Sequence, residues 1–153
     1  MEKHILASYS DALARVKYIR KSIQNLEAKL GRMEEPGYLV ADTVTKGRKG
    51  KKPLGSVTVS GFPVNNYRHV RHTLALRKKQ LEEEEQKLLE LAGEAEGYIS
   101  GIENIEIRNI LSLYYIEDLN WVQVAHRMNG MYGRKGYTEE SCRKKHERFI
   151  RKI

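Results

Sequence analysis

The chain has 153 residues and carries 28 Lys and Arg against 20 Asp and Glu, a net charge of +8 with a pI near 9.5, so the first partner to consider is a polyanion, nucleic acid foremost. The length admits one domain, or a small domain with an appendage, and three prolines among tyrosine-rich aromatics favour helices over a turn-rich all-β fold. The single Cys142 excludes an intramolecular disulfide and a multi-cysteine zinc site, while no stretch approaches the ~20 apolar residues needed to span a bilayer. A cytoplasmic all-α protein is therefore expected.

In the first segment Ile5, Tyr9, Ala12, Val16, Ile19, Ile23, Leu26, Leu30 and Met33 follow one another at steps of four and three, a heptad seam too narrow to form a core unaided. The same stepping resumes at Tyr67 and runs through Val70, Leu74, Arg77, Leu81, Glu84, Leu88, Leu91, Ala95, Tyr98, Ile102 and Ile105, with only Arg77 and Glu84 polar. Two helices of roughly 30 residues, about 45 Å long, point to an antiparallel coiled-coil hairpin over residues 1–101. A homodimer built on the same seams is the competing arrangement. The connector 34–66 holds two β-like runs, YLVADTV and SVTVSGF, around KGRKGKKP, and reads as a β-like hairpin or a disordered basic loop. Its glycines do not form a phosphate-binding loop, since no Gly-Lys-Ser/Thr follows at the required spacing.

Charge is unevenly distributed: residues 1–33 carry +4, 34–66 carry +2, 67–105 carry −2 and 106–153 carry +4. Residues 120–153 alone hold nine basic and three acidic side chains, which marks the C-terminus as the expected polyanion-facing end. The run from Ile107 through Ile110, Leu111, Tyr114 and Tyr115 presents a broad helical face. Asn120 is then a natural N-cap, with Gln123 placed to complete a capping box and Val124, Ala125 and Met128 as inward positions. Asn129 and Gly130 read as the helix stop, and Thr138 caps a last helix over 138–152. On that helix Cys142, Phe149 and Ile153 share one side with His146 beside them. Lys144, Arg148 and Arg151 share the other, flanked by Arg143, Lys145 and Lys152. A helix with one apolar and one cationic edge suits a DNA major groove. The candidate DNA-binding residues are thus Lys144, Arg148, Arg151, Arg143, Lys145 and Ser141, with Arg134 and Lys135 of the preceding turn following a phosphate strand. Trp121 is expected to pack within the scaffold, and Cys142 and His146, four apart without further ligands, belong to the core edge and hold no metal.

The stretch RNILSLYYIEDLNWVQVAHRMN resembles the opening of the helix-turn-helix of sigma-factor region four. Arg108, Ile110, Leu111, Leu113 and Tyr115 match that pattern, Asn120 stands for its Thr, Gln123-Val124-Ala125 for its Glu-Ile-Ala, and Met128 for its Leu. Tyr114 replaces an Arg, and the turn NGMYGRKGY is several residues longer than the standard one. With a long helical N-terminal part and a YISGIENIEIR junction, the layout is similar to phage-encoded region-four-like regulators of Gram-positive bacteria, including the autolysin-regulator type. The resemblance implies a helix-turn-helix domain over 102–153 and a transcriptional regulator of phage or prophage genes. It further implies action on double-stranded DNA in the bacterial cytoplasm, with host RNA polymerase as a further expected partner.

No catalytic pair of carboxylates, nucleophile elbow or metal cluster is visible, so a non-enzyme without a cofactor is expected. Two readings of other kinds stand beside the regulator. One is a coiled-coil assembly or DNA-packaging protein, small-terminase-like, that holds DNA without reading its sequence. The other is an adaptor that binds RNA polymerase with little DNA affinity of its own.

Overall fold

Long apolar stripes on otherwise polar segments force helices to lie side by side, and that requirement organises the chain. The computed structural model describes residues 2–38, 40–45, 48–49, 52–53 and 56–153, with side chains for 4–38 and 61–153. Among these residues there are five α-helices: α1 (Glu2–Glu34), α2 (Val64–Ser100), α3 (Ile105–Leu111), α4 (Trp121–Tyr132) and α5 (Glu139–Lys152). A π-helical segment, Ser112–Ile116, continues α3. Strands β1 (Val40–Thr45) and β4 (Ser56–Gly61) pair antiparallel, Val40 opposite Gly61 and Thr45 opposite Ser56; β2 (Arg48–Lys49) pairs with β3 (Lys52–Pro53). The connector's Lys46 and Lys51, and the side chains of Arg48, Lys49 and Lys52, lie outside what is described. Among the described residues no helix is long and apolar enough to cross a membrane.

The chain divides into two compact units, Tyr18–Leu81 and the combination of Met1–Lys17 with Glu82–Ile153. Within Tyr18–Leu81, Ile19 and Ile23 of α1 are buried against Leu74 of α2, with Leu26, Leu30 and Leu81 around them. The Tyr67 hydroxyl donates to Glu34 Oε1 at 2.7 Å and Lys78 Nζ lies 3.3 Å from Glu27 Oε1. Residues later in α2 thus meet residues earlier in α1, which makes the two segments antiparallel. Arg77 occupies a seam position, half-buried, with a guanidinium N–H donating to Gln80 Oε1 at 3.0 Å and a buried Nε that has no hydrogen-bond partner among the described residues.

The other unit contains two apolar clusters. In the first, Leu6 and Tyr9 of α1 meet Ala95 and Ile99 of α2, Ile102, and Leu111 of α3, and Phe149 and Ile150 of α5 pack against them. In the second, Ile110, Leu113, Val124, Ala125, Met128, Tyr137 and Cys142 come together. The α3 segment separates them, since Leu111 faces one cluster while Ile110 and Leu113 face the other. This grouping differs from a division at 101/102, because Leu111, Phe149 and Ile150 bury their surface on the ends of α1 and α2.

The second seam ends at Ile102. Ile105 opens α3 and is 63% exposed rather than inward, because α2 stops at Ser100 and a turn resets the helical phase. That turn is closed by Gly101 N–H donating to the Tyr98 carbonyl at 3.1 Å, by the Arg108 guanidinium donating to the Ile102 carbonyl at 2.9 Å, and by Asn104 capping Ile107 N–H. After the π-helical segment the backbone enters the left-handed region at Asp118 (φ 54°), whose carboxylate pairs with Lys17.

Leu111 is fully buried where α1, α2 and α3 meet. Leu111→Ala is expected to lower unfolding stability by about 2–5 kcal/mol, measured as a shift of the urea midpoint. A change below ~0.5 kcal/mol, the scale of a surface substitution, would show that this cluster does not support the fold.

Candidate nucleic-acid interface

The candidate interface is built from the α3–α4–α5 segment, and its local order begins with two capping boxes. Asn120 Oδ1 accepts from Gln123 N–H at 2.9 Å while Gln123 Oε1 accepts from Asn120 N–H at 3.0 Å, as the sequence indicates. Thr138 Oγ1 accepts from Ser141 N–H at 3.1 Å and Ser141 Oγ accepts from Thr138 N–H at 2.9 Å. Each box is preceded by an apolar residue that meets the helix's fourth position: Leu119 with Val124, and Tyr137 with Cys142, all in the second cluster. Val124, Ala125 and Met128 face inward, as their spacing requires.

The turn differs from the sequence expectation. Asn129 and Gly130 do not stop α4; the helix continues to Tyr132 and ends at Gly133 in the left-handed conformation (φ 61°). An L side chain is strained there, and glycine relieves it. Asn129 reaches across the turn, accepting from Tyr137 N–H at 2.8 Å and donating to the Tyr137 carbonyl at 2.9 Å. The first four residues of NGMYGRKGY are thus helix and not turn. Arg134 lies 5.6 and 5.2 Å from the Tyr132 and Tyr137 ring centres and donates to the Tyr137 hydroxyl at 3.1 Å.

On α5 the inner edge is more polar than its pattern suggests. Cys142 is buried, and burial raises its thiol pKa. Phe149 and Ile150 are half-buried, whereas Ile153 is 38% exposed, just past the last residue of the helix and not inward. Lys145 is also turned inward: it pairs with Glu106 of α3 and lies 5.2 Å from the Tyr137 ring centre. Its hydrogen bond is the main reason that the Glu106 carboxyl sits below its usual range.

His146 meets an aromatic group from the π-helical segment and α4. Its Nε2 shares a 2.8 Å hydrogen bond with the Tyr115 hydroxyl, and its ring centre lies 5.3 Å from Tyr114 and 5.0 Å from Trp121. Trp121 itself stacks on Tyr114 at 4.1 Å with an 8° interplanar angle, so its ring face is used within the scaffold. Burial lowers the His146 pKa, partly opposed by Glu147, and burial with the neighbouring Tyr114 pushes the Tyr115 phenol up to about 12.

The outer edge of α5 leaves Arg143, Lys144, Arg148, Arg151 and Lys152 exposed. Lys144 Nζ lies 2.6 Å from Glu140 Oε1 and Arg143 Nε 3.9 Å from Glu147 Oε1. Exposed pairs of this kind are worth little and open readily to a competing anion. Among the described residues Arg148, Arg151 and, in the turn, Lys135 have no ion pair. The candidates therefore separate. Lys144, Arg148, Arg151 and Arg143 share one exposed face, Lys135 lies apart in the turn, and Lys145, Ser141 and Arg134 are committed to internal contacts. The residues that shape this site without having been singled out are Glu106 and Tyr137. Tyr137 had a readable signal as the apolar residue just before a capping threonine. Among the described residues no three His, Cys, Asp or Glu side chains cluster as metal ligands. No protein-family model, curated protein or solved structure matches the chain.

Asn129→Ala removes two hydrogen bonds and leaves the Tyr137 backbone N–H and carbonyl without that partner, so a loss of about 2 kcal/mol is expected; Asn129→Asp, which keeps the acceptor, should lose roughly half as much. Thermal denaturation of both variants checks the order. The folded chain resists protonating His146, whereas the unfolded chain takes up that proton near ~6.5. Stability from the neutral ring is therefore complete above that pH and lost as pH falls through it. Denaturant titrations between pH 7.5 and 5 should show this decline, reduced in His146→Gln; an undiminished decline would assign it to other groups.

Proposed function

We propose that the protein is a sequence-specific DNA-binding transcriptional regulator of phage or prophage genes, of the sigma region-four-like kind. In this reading α4, the 133–138 turn and α5 form a helix-turn-helix, and α5 enters the major groove. The observation that carries it is the division of α5 into a fixed inner edge, Cys142, Lys145, His146, Phe149 and Ile150, and an exposed cationic edge, Arg143, Lys144, Arg148, Arg151 and Lys152. Arginine and lysine on such an edge donate to guanine O6 and N7 and to phosphate oxygens. The capped helices and the Asn129–Tyr137 clamp hold that edge before DNA arrives, which reduces the ordering cost of binding. The α1–α2 pair serves as a coiled-coil hairpin that positions this unit, or as the seam of a homodimer. Host RNA polymerase is a second proposed partner, and the bacterial cytoplasm the proposed location.

Selection of bound fragments from phage or host DNA at physiological salt should yield a site held ~10³-fold or more above bulk DNA. Changing Lys144, Arg148 and Arg151 together to Ala should weaken binding to that site at least a hundredfold without loss of helicity, and lower the salt slope by about two or more. Unchanged affinity would overturn the placement of α5. Rings or larger assemblies without fragment preference would instead indicate a DNA-packaging protein.

A further inference from the structure

Counting charge by compact unit reverses the impression given by counting it along the chain. Tyr18–Leu81 holds fourteen Lys and Arg against four Asp and Glu, a net +10 in 64 residues, and the remainder of the chain is left at −2. The unit that contains α5 is therefore close to neutral, and the molecule's positive charge resides in the other.

We propose that Tyr18–Leu81 is a second nucleic-acid-binding module, one that holds the phosphate backbone of double-stranded DNA irrespective of sequence. Its buried apolar residues are Ile19, Ile23, Met33, Val70 and Leu74, of which Ile19, Ile23 and Leu74 close the seam between α1 and α2. Its cations lie on the outer surfaces: Lys21, Lys29 and Arg32 on α1, Arg68, Arg71, Lys78 and Lys79 on α2, all exposed. Lys78 is engaged by Glu27 and Arg71 lies 5.7 Å from the Tyr67 ring centre, whereas Lys21, Lys29, Arg32, Arg68 and Lys79 have no ion pair among the described residues. Lysines and arginines left without carboxylates gain most from phosphate, because binding there breaks no ion pair and releases the counterions condensed on DNA.

Two features favour a duplex over an anionic bilayer. The exposed positions between the cations are mostly polar, Gln24, Asn25, Asn65, Asn66, His69 and His72 among them, and the exposed large apolar side chains of these helix segments, Tyr18, Val64 and Leu76, are scattered singly, so neither helix has a second apolar face to bury among lipid chains. The unit also contains a two-stranded antiparallel ribbon, β1 with β4, an element of the width a major groove admits.

The inference stands independently of the role proposed for α5, and the full-length chain tests it. Lys21→Gln, Lys29→Gln, Arg68→Gln and Lys79→Gln are combined, all outside the seam, with circular dichroism to verify the fold. Binding to duplex DNA of arbitrary sequence is then measured across salt concentrations. The expected result is at least a tenfold loss of affinity near 0.15 M salt and a salt slope reduced by about two to four, with the ratio between a selected fragment and bulk DNA unchanged. A folded variant with the parent's affinity and slope overturns the proposal. So does retention of the parent chain on vesicles of anionic phospholipid that the variant loses while its DNA binding is intact. If the variant fails to fold, Arg68→Gln with Lys79→Gln is read in the same way, with a slope reduction of about one to two.

Discussion

The C-terminal helices depend on α3 having apolar residues on two sides. It is seven residues long, too short to be stable alone, yet Leu111 is buried among Leu6, Tyr9, Ala95 and Ile99 while Ile110, with Leu113 of the π-helical continuation, is buried among Val124, Met128, Tyr137 and Cys142. A helix used on both faces is a shared wall, and disturbing either cluster disturbs the support of the other. Because α5 contributes Cys142 to one cluster and Phe149 and Ile150 to the other, its orientation is fixed at both ends.

Polar contacts give that orientation its specificity. Glu106 with Lys145 and Tyr115 with His146 each join the α3 region to α5 at one angular setting, where apolar contacts alone would tolerate sliding. The same contacts withdraw Lys145 from the outer surface, so fewer cations face solvent than α5's composition offers. The scaffold thus holds the exposed edge rigid at the expense of some of its charge.

Much of this was legible in the residues. Steps of three and four identify most buried positions of α1 and α2, although Leu6 and Ile99, each one residue past the expected Ile5 and Tyr98, are buried off the stepping; the first capping box follows from Asn120 with Gln123 and the last helix's cap from Thr138, whose box is completed by Ser141, a residue expected at DNA instead. Other features needed three dimensions. Ile105 continues the stepping numerically, but the turn after Ser100 breaks the phase. Asn129-Gly130 has the composition of a stop, but α4 continues because Asn129 uses its side chain on Tyr137 and leaves the left-handed role to Gly133. Lys145 lies at the flank of a helical wheel, and only the position of Glu106 on another helix turns it inward. The neutrality of the unit around α5 was hidden for a related reason: the acidic second half of α2 is distant in sequence from the basic C-terminus but belongs to the same compact unit.

The π-helical segment Ser112–Ile116 has a consequence for how this chain can vary. A π turn places one residue more in its hydrogen-bonded ring than an α turn does. Removing one residue between Leu111 and Leu119 would rotate the following side chains by roughly 100°, sending Leu113 or the Tyr114–Trp121 stack away from its cluster. The segment acts as a spacer of fixed phase, intolerant of length change. The ribbon of β1 and β4 can instead be lengthened by paired residues without altering the register of α1 against α2. Variation in length among related chains should therefore accumulate in the ribbon and spare the span from Leu111 to Trp121.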